Sequence, residues 1–287
     1  MTEPNTPRVA VYLDFDNIVI SRYDQVHGRN SFQRDRAAGF HKRPGRLTEA
    51  VVDVGAIIDF ASSFGTLVLT RAYADWSADV NAEYQGQLVG RAVDLVQLFP
   101  AAAYAKNGAD IRLAVDAVED MFRLPDLTHV VIVAGDSDYI ALAQRCKRLG
   151  RYVVGIGITG SISRSLTAAC DEFVTYDALP GVPVAAPKKR AKRAKAPEAD
   201  DESEQPDPQA AATGLLERAL RIGHEKDDAD WLHNSAVKAQ MKRMDPSFSE
   251  KSLGFKSFSD FLRSRSDIVE LDESSTTRMV RLKTTAT

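Results

Sequence analysis

The sequence predicts an α/β architecture: a mostly parallel sheet flanked by helices, followed by a small second module. Three observations carry this. From residue 8 to residue 178, short β-branched runs alternate with amphipathic helix-length stretches, the pattern of a parallel sheet with crossover helices. Between about Val182 and Gln209 apolar residues almost vanish, and Pro, Ala and charge replace them, so this stretch cannot bury enough surface to fold. Beyond it come three or four short helical stretches and a two-stranded ribbon. The expected units are 1–181, a flexible charged linker 182–209, and 210–287.

The strands come first. Residues 9–14 (VAVYLD), 66–73, 94–99, 129–135 (HVVIVAG), 152–158 and 173–176 are short runs suited to burial on both faces. Helices are expected between them. One runs over 48–63, with Thr48 as cap and Gly65 as stop. Others cover 78–92, 138–149 (ending at Gly150) and 163–171. A helix over 109–123 would turn Ile111, Val115, Val118 and Phe122 to the core as its apolar stripe. In the C-terminal module helices are expected over 214–226 and 231–244, over a short stretch at 248–254, and over 257–265, with a hairpin over 267–284. That order describes a winged-helix module.

Bulk properties narrow the function. The chain has 287 residues, 44% of them hydrophobic, and a net charge of −3. It is no general polyanion binder, so any nucleic-acid role rests on local patches. Cys146 and Cys170 lack metal or redox spacing and fit a reducing, cytoplasmic setting. The N-terminal MTEPNTPR has neither the basic nor the apolar region of a signal peptide, and no run approaches the roughly 20 apolar residues of a membrane helix.

The chemistry concentrates at strand ends. Asp14, Asp16 and Asn17 close the first strand in YLDFDN; Asp136 and Asp138 follow HVVIVAG; Asp110 opens the 109–123 helix. In a parallel sheet these positions meet at the carboxyl edge, where ligands bind. Like charges gathered there repel, and an oxygen-only donor set selects Mg²⁺ or Mn²⁺ over zinc. Each residue also has a plainer role: Asp136 or Ser137 as a helix cap, Asp110 as a favourable charge at a helix start, Asp16-Asn17 as an Asx turn. Asp116, about 240° around the helix from Asp110, faces elsewhere.

Two further stretches stand out. Residues 21–46 hold seven Lys/Arg against two Asp, with Tyr23, Phe32 and Phe40 interspersed. We read this as a mobile flap whose Arg22, Arg29, Arg34, Arg36, Lys42 and Arg43 grip single-stranded RNA; a solvated loop or an oligomer contact is the plainer alternative. GIGITG at 155–160 imitates a dinucleotide fingerprint but sits on the fifth strand, so Gly155 and Gly157 are read as close-packing positions and the following serines as helix caps.

YLDFDN, the spacing Lys106–Asp110, and GDSDY followed by helix, Gly150 and a new strand together resemble the NYN domain family, a branch of the PIN-like metal-dependent ribonucleases. The resemblance covers about 8–178. It implies metal or catalytic roles for Asp14, Asn17, Asp110, Asp136 and Asp138, with Asp14, Asp110, Asp136 and Asp138 as metal ligands, and a phosphate-facing role for Lys106. It implies nothing for Asp16. SEKSLGFKSFSDFLRSR resembles the OST-HTH (LOTUS) domain, a winged-helix family associated with RNA and with protein partners. There Lys238, Lys242, Arg243, Lys251 and Lys256 are the candidates for phosphate contacts. Two rivals stay open: a haloacid-dehalogenase-like phosphatase, with Asp14 as nucleophile and Asp16 as acid/base, and a non-catalytic RNA-binding scaffold. A homo-oligomer is also compatible with the sequence.

Overall fold

The computed structural model describes residues 6–43, 45–99, 108–183, 207–227, 230–272 and 278–283. They divide into two units, 1–185 and 186–287. Lys106 and nearly all of the expected linker lie outside the described residues. Among the described residues no helix is long and apolar enough to cross a membrane.

The first unit runs β1 (Arg8–Asp14), α1 (Phe15–His27), α2 (Ser31–Ala38), α3 (Gly45–Glu49), α4 (Val54–Ser62), β2 (Thr66–Ala74), α5 (Asp79–Ala82), α6 (Gln85–Val89), β3 (Asp94–Gln97), α7 (Ala109–Arg123), β4 (His129–Val133), α8 (Ile140–Arg148), β5 (Tyr152–Gly157), α9 (Arg164–Ala169) and β6 (Glu172–Thr175). The six strands are parallel, in the order β3-β2-β1-β4-β5-β6. The chain builds outward from β1 on one side, then returns to lay β4 against its other side. The connections after β1 and β4 therefore diverge, which opens a crevice at their carboxyl ends. β1 is buried along its length because alternate side chains feed two cores. Val9, Val11 and Leu13 join the layer holding α1 and α4, while Ala10 and Tyr12 join the layer holding α7 and α8. Gly155 fits the close-packing reading: a Cβ there would stand 2.4 Å from the Phe173 ring.

Four expectations are corrected in this unit. The basic stretch 21–46 is not a loose flap: it is the end of α1, α2, a short 3-10 turn at Phe40–Lys42, and α3. Its aromatics are packed, with Tyr23, Phe32 and Phe40 in mutual ring contact at 5.2–5.8 Å, so they are not displayed for stacking on bases. The helix expected over 48–63 begins only at Val54, because the Asp53 side chain caps it by accepting from the Ala56 N–H. The stretch 78–92 forms two short helices rather than one. On α7 the core-facing residues are Ala109, Leu113, Ala117 and Met121, while Ile111, Val115 and Phe122 are 68%, 57% and 71% exposed. This helix carries two apolar faces, and periodicity alone favoured the outer one.

The second unit comprises α10 (Pro208–Asp227), β7 (Leu232–His233), α11 (Asn234–Met244), α12 (Phe258–Arg263), β8 (Val269–Asp272) and β9 (Met279–Leu282). The strands form a small antiparallel sheet in the order β7-β9-β8. Leu216, Leu220, Met241, Phe261, Leu262 and Val280 make its core. The short helix expected at 248–254 is a series of turns instead, and β7 was not foreseen.

Because Phe32 is buried against Tyr23 and Phe40, Phe32→Ala should lower unfolding free energy by about 3 kcal/mol in urea titrations. A freely moving segment would give no measurable change.

Candidate active site

The site is built from the end of β1. Asp14 is the last strand residue and the N-cap of α1, and its Oδ1 accepts from the Asn17 N–H at 3.2 Å. The carboxylate is only 7% exposed. Its other oxygen, Oδ2, accepts from the Tyr139 hydroxyl at 2.7 Å. Burial pushes the Asp14 carboxyl up to about 6, and the nearby charges of Asp16 and Asp110 add to that, against the two hydrogen bonds that oppose it.

Asp14 differs from the other buried carboxylates among the described residues. Asp35 is paired with Arg43 and Arg46, Asp120 with Arg71, and Glu250 with Lys238. Asp14 has neutral donors and like-charged neighbours, and no described cation.

Tyr139 is the residue of this crevice that sequence reasoning missed. The Asp136 side chain caps the 3-10 turn Ser137–Tyr139 by accepting from the Asp138 N–H at 3.3 Å. That turn buries the Tyr139 ring and brings its hydroxyl to Asp14. Burial above all, and then the charges of Asp14, Asp110 and Asp136, keep the phenol protonated and able to donate. Of the three, Asp14 is hydrogen-bonded to this hydroxyl, and the charges of Asp110 and Asp136 act on it from nearby. The signal lay within GDSDY, where the tyrosine was read as part of a motif without a role of its own.

The remaining residues separate into site and support. Asn17 Oδ1 accepts from the Gly135 N–H at 3.4 Å. Asn17, Ser21, Gly135, Asp136, Ser161 and Ser163 line an open cleft of about 420 Å³ at the carboxyl ends of β4 and β5. Gly135 permits the loops to meet there, since a Cβ would stand 2.5 Å from the Ser161 carbonyl oxygen. Asp136 is exposed at the rim, and Asp138 is exposed two residues further on. Asp16 turns aside: its oxygens accept from Asn81 Nδ2 at 2.6 Å and from the Asp75 N–H at 3.3 Å. It thereby braces the connection after β2 and is already engaged, unlike the acid/base a phosphatase would need. Asp116 accepts from the Tyr73 hydroxyl and from Arg112, so it anchors α7.

The basic residues also divide. Arg22 is buried, paired with Asp177 at 2.9 Å and stacked over Tyr176, so it holds the fold and is not displayed to a phosphate. Lys238 is likewise held by Glu250, over the Phe258 ring. Arg34 and Arg36 are exposed on α2, Arg29 in the turn before it, and Lys42 and Arg43 in the turn after it, Arg43 also pairing with Asp35. Asp75, just after β2, is held below the usual carboxylate range chiefly by its hydrogen bond with Ser77, with a smaller contribution from the charge of Arg36. In the second unit Arg243, Lys251 and Lys256 are exposed and Lys242 is half-buried.

As donors, Asp14, Asp110 and Asp136 suit a hard divalent cation, which would relieve the uncompensated charge at Asp14. Among the described residues no three carboxylate, His or Cys groups already stand in a ligating arrangement, so binding would require side-chain adjustment.

The NYN domain profile matches residues 8–177, and the OST-HTH/LOTUS domain profile matches residues 206–281. No curated protein matches the chain. Among solved structures, a protein of unknown function, VPA0982, from Vibrio parahaemolyticus RIMD 2210633 is 20% identical, with 61% of this chain and 96% of that one covered and a TM-score of 0.46. MurG from Acinetobacter baumannii is 12% identical, with 75% of this chain and 54% of that one covered and a TM-score of 0.30.

The raised carboxyl of Asp14 has a stability consequence. Below pH 3.8 both folded and unfolded chains hold the proton and nothing is lost. As pH rises from 3.8 to about 6 the unfolded chain ionises first, so stability falls across that window and stays lower above it, by roughly 3 kcal/mol at most. Asp14→Asn should therefore melt higher than wild type at pH 7 in chelator, with the gap closing toward pH 4. An unchanged or lower melting temperature at pH 7 would contradict the burial argument.

Proposed function

The chain belongs to the NYN domain family, a PIN-like nuclease family, and carries an OST-HTH/LOTUS domain of an RNA-binding kind; from that premise we propose that it is a metal-dependent ribonuclease hydrolysing RNA phosphodiester bonds. The observation that carries the reading is the buried Asp14 at the β1/β4 crevice, which has no cationic partner among the described residues, is held by the Tyr139 hydroxyl, and feels the charge of Asp110. A carboxylate kept from water without a counter-charge suits a site whose positive partner arrives with function.

In this reading Asp14, Asp110, Asp136 and Asp138 hold Mg²⁺ or Mn²⁺, which would supply Lewis-acid chemistry and charge neutralisation at the phosphodiester. Tyr139 fixes one oxygen of Asp14 and thereby orients the other. Asn17, whose Oδ1 is occupied by Gly135, offers its Nδ2 hydrogens to a phosphate oxygen in the adjoining cleft. Asp138, exposed two residues after Asp136, orients the attacking water. The leaving group is the 3′-oxygen of the strand. Arg29, Arg34, Arg36, Lys42 and Arg43 neutralise the backbone leading to the cleft. The C-terminal module adds a second RNA contact through Lys242, Arg243, Lys251 and Lys256. The engagement of Asp16 with Asn81 and Asp75 favours this reading over a phosphatase.

The test is incubation of single-stranded RNA, single-stranded DNA and a phosphomonoester with Mn²⁺ or Mg²⁺. Wild type should cleave RNA. Asp136→Asn should lose on the order of 100-fold or more in rate, and Asp16→Asn should stay within about tenfold of wild type. Turnover of the phosphomonoester alone would overturn the nuclease reading. RNA binding with no turnover of any substrate would leave a scaffold.

For the C-terminal contact, Lys251→Glu/Lys256→Glu should weaken RNA binding by the full chain and flatten the dependence of log affinity on log salt by about one unit or more. Unchanged affinity and slope would remove these lysines from the interface.

A further inference from the structure

We infer that α7 is a self-association surface, pairing antiparallel with α7 of a second copy of this chain. Ile111, Val115, Val118 and Phe122 lie at spacings of four, three and four residues, the seam of a two-helix coiled coil. Ile111, Val115 and Phe122 are 68%, 57% and 71% exposed, while Val118, half-buried at the edge of the stripe, also packs against the domain core. The opposite face of the helix is already committed to the core through Leu113, Ala117 and Met121. The seam is therefore additional to what the domain's own packing requires, and too apolar for an ordinary solvent face.

The flanking charges select the occupant and its direction. Arg112 and Glu119 occupy the same side of the seam, one heptad apart. An antiparallel two-fold midway between Val115 and Val118 sets Ile111 opposite Phe122 of the second copy, and Val115 opposite Val118. It also brings each Arg112 to the other copy's Glu119, giving two identical ion pairs. A parallel pair would instead set Arg112 and Glu119 beside Ala114 and Met121 and leave the charges unmatched. Arg112 now lies along Asp116 at 2.9 Å and Glu119 against Arg123 at 3.3 Å. Both are same-helix pairs with exposed arginines, weak enough to be exchanged on docking. With 15 residues the helix is about 22 Å long, which gives less than the roughly 800 Å² per partner of a standard interface. A dimer of micromolar affinity is the expected strength. The arrangement would set the two copies of Asp110 about 20 Å apart along the paired axis.

The experiment is sedimentation equilibrium of the full chain from about 1 to 200 μM. Wild type should pass from monomer to dimer across that range. Val115→Glu should remain monomeric throughout, with unchanged circular dichroism because the side chain faces solvent. Arg112→Glu and Glu119→Arg should each weaken the dimer, and the double reversal should restore it. A wild type that is monomeric at every concentration overturns the proposal, as does a dimer indifferent to Val115→Glu. A double reversal that fails to restore association overturns the antiparallel pairing. Should Val115→Glu fold poorly, hydrogen exchange of wild type decides. Protection over 111–122 must rise with concentration; protection that is strong and constant in a monomer means another part of the chain covers the stripe.

Discussion

The placement of Asp14 governs how the first unit is organised. A carboxylate that is nearly out of water normally needs a cation beside it, and where this fold buries other carboxylates it supplies one: Arg71 for Asp120, Arg43 and Arg46 for Asp35. Among the described residues Asp14 receives only a phenol and a backbone amide. Two neutral hydrogen bonds do not offset full desolvation of the charge, which is why its carboxyl holds a proton more tightly than usual. That local instability is tolerated because the strand carrying it is securely packed at the centre of the sheet. β1 has a hydrogen-bonded neighbour on each side and an apolar layer on each face.

Tyr139 links this constraint to the rest of the crevice. Its hydroxyl reaches Asp14 only because the turn after β4 is tight, and the turn is tight because Asp136 caps it. Asp136 thus has a local structural role and sits at the rim of the cleft at the same time. The helix-cap role and the site role, which seem to be rivals when the sequence is read alone, are compatible here. The cap uses one carboxylate oxygen, Oδ1, and the other is free of any such bond among the described residues.

Much of this was legible in the sequence, and the gaps have definite causes. Strand ends rich in Asp are visible because carboxylates stand out against β-branched runs, so YLDFDN and GDSDY located the crevice. The function of Asp16 was not legible, since its partners Asn81 and Asp75 lie about 60 residues away and only the fold brings them together. Residues 21–46 look like a solvated loop because they are highly charged. Two of those charges, Asp35 and Arg46, neutralise each other inside the unit, and the aromatics between them supply the packing. Lys238 and Arg22 were misread for the same reason: a basic residue in a sequence does not reveal whether its counter-ion is a phosphate or a carboxylate of its own chain.

The hardest case is α7, and it bears on the site. A helix with apolar residues on both faces can satisfy apolar burial in either of two orientations, about half a turn apart, so burial alone does not select one. Polar groups make the choice. Asp120 is buried where Arg71 and the Tyr12 hydroxyl meet it, and Asp116 accepts from the Tyr73 hydroxyl. Both carboxylates project on the Leu113–Ala117 side, and Tyr12, Arg71 and Tyr73 all stand on the neighbouring strands β1 and β2. Turning the helix over would strand those partners without acceptors, a larger penalty than exchanging one set of aliphatic side chains for another. The same choice leaves Asp110, at the start of the helix, half-buried and near enough to Asp14 for its charge to act there. The tyrosine and arginine clamps thus lie outside the candidate site yet fix one of its carboxylates, and they leave the second apolar stripe of α7 facing outward.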